Sequence, residues 1–421
     1  MSKSYNGLNF IETLQDNNLH RDSDIDTYMK LFVLLYADDT IVMAESVHEL
    51  QLAMNSMYEY CVVNKLAINT SKTKVMVFSR GKIRNKPEIM YGDTKLQVVD
   101  EYVYLGITFN YNGNFVKANK RLCQVASNAM FAVLKKGRTL QLDIDTQVHL
   151  FHSVVVPIVL YGCEVWGYSN LNMIEKLQLR FCKILLSVKK STPNVMIYGE
   201  LGMFPLQLTI KTRMISFWIK LLHGNHLKLS RLLYNLIDKD NSSWLRYIYN
   251  TLNECGMSFI WMTQANNVNT NWLKLTLSQN LKDQFCQQWQ DQVNNSSKCL
   301  NYHIFKTTIN FENYLITLPK RWRIIFTKFR CRSHRLPIEQ GIFDGKIREE
   351  RFCTICSSNE IGDEFHYIFK CKSLSEERKQ FIPLKYYSNP SNINMCKLFN
   401  SRNEVLYKLC RFILIVLRKM S

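Results

Sequence analysis

The chain of 421 residues lacks any apolar run long enough to cross a bilayer. A spanning helix needs about 18 or more consecutive apolar residues, and the longest candidates, Val154 to Leu160 and Phe412 to Leu417, are much shorter. The first ten residues, MSKSYNGLNF, also lack the apolar centre of a secretory signal peptide. We therefore expect a protein that is intracellular, nuclear or cytoplasmic, and not secreted, with no membrane partner.

Acidic residues are scarce relative to basic ones. The chain has 35 Asp and Glu against 54 Lys and Arg, a net charge of +19. Such an excess favours a polyanionic partner, with nucleic acid as the first candidate and an anionic membrane surface as the alternative. The 13 cysteines, an odd number scattered along the chain, suit a reducing compartment. An apolar fraction of 47% indicates a folded protein.

The sequence Tyr36-Ala37-Asp38-Asp39 lies between two apolar runs, Leu31 to Leu35 and Ile41 to Ala44. This order predicts a β-hairpin with the acidic pair at its tip. Adjacent carboxylates repel unless a cation neutralises them, and their oxygens suit Mg²⁺. Two such metal ions serve phosphoryl transfer by binding the attacking and leaving oxygens. The alternative is an Asp-Asp turn that holds no metal.

The rest of the pattern predicts an α+β fold. Residues 46–64 have helical periodicity, with Ser46 as N-cap and Glu49 completing a capping box. Strands are expected at 74–78 and within 88–109, and Gly92-Asp93 is a turn signal. From Phe115 onwards the period is mostly helical.

Three helices are predicted in the part that follows. They cover residues 116–136, 146–161 and 171–189. Asp143 or Asp145 is expected to cap the second helix, and Pro157 is expected to kink it or mark its end.

Cys353-x2-Cys356-x9-His366-x4-Cys371 has the composition and spacing of a zinc site. Zinc prefers four thiolate or imidazole ligands in a tetrahedron, and a Cys-x-x-Cys turn supplies two of them. One alternative is four unrelated residues in a chain rich in cysteine. A redox Cys-x-x-Cys is disfavoured because no thioredoxin-like pattern surrounds it.

Residues 319–351 combine basic and aromatic side chains. They hold ten Lys and Arg against four Asp and Glu, and Arg321, Trp322, Arg323, Phe329 and Arg330 interleave the two types. Cations of this kind pair with phosphates while rings stack on bases, so the segment is a candidate RNA or DNA contact. The alternative is a solvated basic helix face that covers a core.

Several of these motifs resemble the reverse transcriptases of non-LTR, LINE-like retrotransposons. The resemblance rests on LLYADDTIVMAES, on Ile68 to Thr73 within NKLAINTSKTKVMVF, and on Tyr104-Leu105-Gly106. It continues through Leu160 to Gly167 and Glu200-Leu201-Gly202 to Pro205, and resumes at 330–375 with the Cys and His residues.

The resemblance implies roles for individual residues. Asp38 becomes the principal Mg²⁺ ligand and Asp39 the secondary one, while Lys72 acts near the pyrophosphate unless it is a plain surface lysine. The resemblance places Tyr36 near the primer end or template. Tyr104 and Gly106 belong to a primer-grip turn, and the Cys and His module binds zinc.

The resemblance also implies a division of the chain. The expected regions are a partial palm with the aspartate hairpin (1–114), a thumb-like helical region (115–210), a helical linker region (211–318), the basic segment with the zinc module (319–375) and a helical tail (376–421).

By this resemblance, a third catalytic aspartate and the fingers lie upstream of the aspartate pair. Only 35 residues precede Tyr36, and Asp22, Asp24 and Asp26 lack a flanking apolar strand. The sequence therefore suggests an N-terminally truncated RNA-directed DNA polymerase that is inactive alone. The alternatives are a non-catalytic nucleic-acid-binding protein of the same descent and a polymerase completed by another chain.

Overall fold

The computed structural model describes residues 8–9, 30–31, 33–36, 38–81, 83–169, 171–225, 228–237 and 242–420. The chain divides into two compact units. The first comprises Met1–Arg121, Phe217–Asn250 and Trp261–Ala265, and the second comprises Leu122–Ser216, Thr251–Ile260 and Asn266–Ser421. Asp22, Asp24 and Asp26 lie outside the described residues. The division into five regions stays a prediction.

The strands of the described residues all belong to the first unit and form two-stranded pairs. Each pair is antiparallel except β5 with β8. The pairs are β1 (Leu8–Asn9) with β2 (Lys30–Leu31), β3 (Val33–Tyr36) with β4 (Asp39–Val42), β5 (Lys74–Val75) with β8 (Gln97–Val98), β6 (Met90–Tyr91) with β7 (Thr94–Lys95), and β9 (Glu101–Tyr104) with β10 (Ile107–Asn110).

Helix α1 (Val47–Val63) begins at the predicted cap. Ser46 Oγ accepts the Glu49 N–H at 3.2 Å, and Glu49 Oε2 accepts the Glu45 N–H at 3.1 Å. The predicted Ser46 cap is confirmed, but Glu49 binds the N–H of Glu45 and not that of Ser46, so the return bond of a capping box is replaced by a bond one residue earlier. The Ser46 bond satisfies one of the backbone donors that a helix start leaves without partners.

A small apolar core joins α1 to the short strands. Its buried members are Met54, Val75, Ile89, Tyr91 and Leu96. Gln51 of α1 also binds the backbone of Met90 in β6, donating to its carbonyl at 2.9 Å and accepting its N–H at 2.8 Å. These contacts explain why such short strands are stable. Hydrogen bonds from α1 satisfy backbone groups of β6 that a longer strand pair would satisfy by itself.

The remaining chain is predominantly helical. In chain order the helices are α2 (Val116–Thr139), α3 (Ile144–Leu150), α4 (Val156–Val159), α5 (Cys163–Trp166), α6 (Asn172–Leu185), α7 (Asn194–Leu201), α8 (Leu206–Leu222), α9 (Leu229–Leu236), α10 (Ser243–Glu254), α11 (Ser258–Met262), α12 (Thr270–Asn295), α13 (Tyr302–Phe305), α14 (Tyr314–Thr317), α15 (Lys320–Arg330), α16 (Pro337–Phe343), α17 (Ser375–Phe381), α18 (Leu384–Tyr387), α19 (Asn392–Phe399) and α20 (Asn403–Lys419). Among the described helices, none combines the length and apolarity needed to cross a bilayer.

The predicted effect of Pro157 is confirmed in a specific form. Asp143 caps α3 by accepting the Thr146 N–H at 2.6 Å. A π-helical turn over Phe151–Val155 then joins α3 to α4, which contains Pro157 in its first turn. Proline has no N–H to donate, and the wider turn absorbs this local disturbance while the helical path continues.

A fully buried ion pair lies within the second unit. Arg330 of α15 donates from Nη2 to Glu200 Oε1 at 3.0 Å, and both side chains are fully buried. Glu312 Oε2 lies 3.2 Å from the same Nη2. Tyr302 and Tyr314 donate their hydroxyls to Glu200. Five side chains thus bring distant segments of the chain together.

The chain next to Glu200 is equally constrained. Leu201 forms an isolated antiparallel bridge with Phe311, and the Glu312 N–H donates to the Glu200 carbonyl at 3.0 Å. Gly202 follows with φ +61°, and a Cβ there would meet the Phe311 backbone nitrogen at 2.5 Å. Glycine is required at this position both by the left-handed backbone and by the close approach.

We predict that Arg330→Leu lowers the free energy of unfolding by about 3–5 kcal/mol, because Glu200 would stay buried without its countercharge. Arg321→Leu, which removes the same charge from an exposed position of α15, should change it by less than about 0.5 kcal/mol. Urea unfolding of both variants measures this. Equal losses in the two variants would contradict the predicted role of the pair.

Candidate functional site

The aspartate pair lies on the predicted hairpin. Strands β3 and β4 pair antiparallel with Tyr36 opposite Asp39, so Asp38 lies in the turn and Asp39 begins β4. Both aspartates are exposed, and Tyr36 is 63% exposed. The hairpin prediction is confirmed, and it presents two neighbouring carboxylates to solvent, where they can offer oxygen ligands to a hard cation.

The neighbourhood of this pair contains few other candidate ligands. Among the described residues, no further His, Cys, Asp or Glu joins Asp38 and Asp39 in a cluster of three. No hydrogen bond or ion pair between described residues joins the aspartates to Lys72. Lys72 is exposed, and its N–H donates to the Asn69 carbonyl at 3.1 Å.

Tyr104 and Gly106 belong to a tight hairpin between β9 and β10. Tyr104 pairs with Ile107, and both residues between them have left-handed backbones, Leu105 at φ 46° and Gly106 at φ 81°. This is the arrangement of a type I′ turn. The Tyr102 hydroxyl donates to the Lys72 carbonyl at 3.4 Å, so β9 lies beside the Lys72 segment.

The four predicted zinc ligands lie together in the second unit. The ligand atoms of Cys353, Cys356, His366 and Cys371 are all within 4.8 Å of one another. Cys353 Sγ lies 4.0 Å from Cys371 Sγ, and Cys356 Sγ lies 3.4 Å from His366 Nε2. Three thiols and one imidazole nitrogen at these separations fit a tetrahedral zinc ion.

Local backbone structure builds this cluster. The Cys353 N–H donates to the Glu360 carbonyl at 2.8 Å, next to a bridge between Phe352 and Ile361. Within the turn, the Cys356 N–H points at Cys353 Sγ at 3.5 Å. His366 begins a π-helical turn, His366–Lys370, and the Cys371 N–H donates back to the His366 carbonyl at 2.9 Å.

The thiols differ in their acidity. Burial opposes ionisation of Cys356, but hydrogen bonds with Ser358 and Cys353 outweigh it and lower its pKa to about 6. Burial and the neighbouring Cys353 and Cys356 raise the pKa of Cys371 to about 12. Like charges this close cannot all ionise by themselves, whereas a bound cation would stabilise the thiolates together.

Two acidic residues attach the cluster to the helical core. Asp363 Oδ1 accepts the His366 N–H at 2.9 Å. Glu364 is buried, accepts from Asn301 at 2.6 Å and lies 2.7 Å from His334 Nε2. Burial raises the pKa of Glu364, but His334, Arg332 and Asn301 together hold it at about 2. The carboxylate therefore stays charged inside the protein.

Sequence reasoning missed Glu360, Glu364 and His334. Glu360 lies 3.0 Å from His366 Nδ1. The two glutamates stand between the halves of the ligand motif, and acidic residues there are a usable signal because ligating histidines usually have an outer hydrogen-bond partner. His334 lies 30 positions from Glu364, and no spacing rule identifies it.

The basic and aromatic segment is more structural than its sequence suggests. Phe329 and Arg330 are buried, at 1% and 2% exposure, which contradicts the prediction that they contact nucleic acid. Arg323 donates to the Leu315 carbonyl at 3.0 Å. Trp322 is half-buried and packs edge-on against Tyr407 at 5.1 Å. Arg321 is exposed, over the Trp322 ring.

Parts of this sequence are similar to known proteins. Residues 11–109 match the family model for reverse transcriptase (RNA-dependent DNA polymerase). An RNA-directed DNA polymerase from the mobile element jockey of Drosophila funebris is 23% identical over 171 residues, 38% of this chain. A 115 kDa protein of a type-1 retrotransposable element of Drosophila melanogaster is 25% identical over 200 residues, 44% of this chain. The chain is related to the reverse transcriptases of non-LTR, LINE-like retrotransposons.

A third relative is a transposon-derived protein of Caenorhabditis elegans. It is 31% identical over 141 residues, which make up 32% of this chain. The chain spans about half of that protein, 49%, and 18% and 19% of the two Drosophila proteins. The aspartate hairpin, Lys72 and the β9–β10 turn all fall inside the residues matched by the family model.

Proposed function

We propose that this chain supplies the palm hairpin of an RNA-directed DNA polymerase of a LINE-like element. The observation that carries the proposal is the exposed Asp38 and Asp39 pair at the tip of a hairpin within residues 11–109. Two adjacent carboxylates can hold Mg²⁺, and the ion supplies charge stabilisation for phosphoryl transfer when bound. Asp38 is the principal ligand and Asp39 the secondary one.

The remaining palm residues are proposed to position the substrates. Lys72 is exposed, and its backbone carbonyl binds Tyr102 of β9; its cationic side chain is suited to the pyrophosphate that leaves during nucleotide addition. Tyr36 is available to the primer end or template. Tyr104 and Gly106 hold a tight turn whose shape suits the primer-grip role. RNA and DNA, as template and primer, are the partners of this proposal.

We expect that the purified chain with Mg²⁺ shows no template-directed DNA synthesis. Phosphoryl transfer depends on positioning by several ligands, and the described residues place no third carboxylate with the pair. Primer extension measures this against the double variant Asp38→Ala, Asp39→Ala. Synthesis above that background would refute the predicted inactivity and support the polymerase assignment.

We propose further that Cys353, Cys356, His366 and Cys371 hold one Zn²⁺. Two observations support this proposal. The four ligand atoms lie within 4.8 Å of one another, and the pKa of Cys356 is lowered. Bound zinc would act structurally here, because four protein ligands leave no open coordination position. Because metal binding and folding are coupled when the ligands come from one short segment, the order of the Cys353 to Cys371 segment should increase when zinc binds.

Zinc analysis of the full chain should give one ion per molecule, and Cys356→Ser should lose most of it. Cys286→Ser is the matched control, because Cys286 is half-buried in α12 and outside the cluster. Mass spectrometry under native conditions or plasma emission measures the stoichiometry. A value near zero in the parent chain, or no loss in Cys356→Ser, would refute the zinc assignment.

The second candidate function is nucleic-acid binding without catalysis. The net charge of +19 favours it, together with the exposed cation of Arg321 over the Trp322 ring. Phosphate contacts by such a cation release counterions, and a ring edge or face near it can stack on an unpaired base. The proposed partner is RNA or single-stranded DNA with weak sequence preference.

In an oligonucleotide titration, Arg321→Ala should lower the salt slope of log affinity by about 1, the loss expected for one phosphate contact. Lys379→Ala removes a charge from α17 as a control and should leave the slope unchanged. Trp322→Ala should weaken binding at every salt concentration. The melting temperature of this variant shows whether the contact between Trp322 and Tyr407 also contributes to stability. An unchanged slope in Arg321→Ala would remove this region from the interface.

A further inference from the structure

His366 has both ring nitrogens engaged. Its Nδ1 lies 3.0 Å from Glu360 Oε2, and its Nε2 lies 3.4 Å from Cys356 Sγ on the other side of the ring. The His366 side chain is only 3% exposed, so bulk water cannot take the place of either partner. The two contacts therefore decide which nitrogen carries the proton.

In a neutral imidazole one nitrogen carries a hydrogen and the other a lone pair. A carboxylate oxygen accepts and cannot donate, so the pairing with Glu360 requires the hydrogen on Nδ1. The lone pair is then on Nε2, which faces the thiols. The opposite tautomer would put a lone pair against the carboxylate and a hydrogen against the metal position.

We propose that Glu360 is a positioning residue for the metal site: it holds His366 in the tautomer that presents Nε2 to the metal ion. The inference rests on the proposed zinc site and names the residue that orients one of its ligands. Outer carboxylates of this kind fix the ring and raise the basicity of the ligating nitrogen.

The backbone places Glu360 for this task. Its carbonyl accepts the Cys353 N–H at 2.8 Å, so the same register that positions the first thiol positions Glu360. The bridge between Phe352 and Ile361 holds that register. Among the described residues, Lys370 is the second charged partner of this carboxylate, with Nζ 3.8 Å from Glu360 Oε2. It leaves the contact with His366 intact.

Competition between the full chain and a zinc chelator measures the effect. Glu360→Ala should weaken zinc binding by about 10- to 100-fold, the range seen when an outer partner of a ligand is lost. Glu360→Gln should lie between it and the parent chain, because the amide oxygen still accepts a hydrogen bond but carries no charge. Glu350→Ala removes an exposed carboxylate three positions before Cys353 and should bind zinc like the parent chain.

The tautomer provides a second readout. Nitrogen NMR of the zinc-loaded chain should show His366 protonated at Nδ1 and metal-bound at Nε2. In Glu360→Ala the spectrum should instead show a mixture of the two His366 tautomers. If Glu360→Ala fails to fold, Glu360→Gln and the tautomer of the parent chain still decide the matter.

The outcomes separate the two proposals. A parent chain that binds no zinc refutes the zinc site itself. A parent chain that binds zinc, together with Glu360→Ala of equal affinity or a His366 ring bound through Nδ1, leaves the zinc site standing and overturns the role of Glu360.

Discussion

The ion pair between Glu200 and Arg330 is the constraint on which the second unit depends. Burying two charges costs several kcal/mol for each ion, and their attraction offsets this only when further hydrogen bonds complete the site. Here Tyr302 and Tyr314 donate to Glu200, and Glu312 lies beside Arg330 Nη2. Arg330 Nη1 is buried without a hydrogen-bond partner among the described residues, while the guanidinium lies 4.6 Å from the Phe305 ring centroid. Because Glu200, Tyr302, Tyr314 and Arg330 come from four different helices, satisfying this one pair links α7, α13, α14 and α15.

The same charged interior extends to the metal cluster. Arg332, just after α15, pairs with Glu339, and His334 pairs with Glu364. Glu364 is next to Asp363, which accepts the His366 N–H. The candidate metal site is therefore attached to the core through hydrogen-bonded carboxylates, so its ligands are held by tertiary structure on one side and by the short turn at Cys353 on the other.

Basic residues serve two purposes in this chain. A net charge of +19 suits a polyanionic partner, yet in α15 the guanidinium of Arg330 neutralises buried carboxylates and that of Arg323 donates to a backbone carbonyl. Arg321 is the exposed arginine of this helix. Arginine is suited to both uses, because its planar fork binds carboxylates and phosphates with the same geometry.

Local signals determined the aspartate hairpin, the Ser46 cap and the Asp143 cap, because each depends on neighbours a few positions apart. The four clustered ligands, which span 18 positions, were readable from their residue types and spacing. The relation to LINE-like reverse transcriptases was also readable from motif order. Only the tertiary structure decided that Phe329 and Arg330 belong to the core, since the partner of Arg330 is 130 positions away. It also decided that Glu364 meets His334 and that Glu360 faces His366. Burial and long-range pairing depend on how helices pack, and side-chain type alone does not specify which residues they bring together.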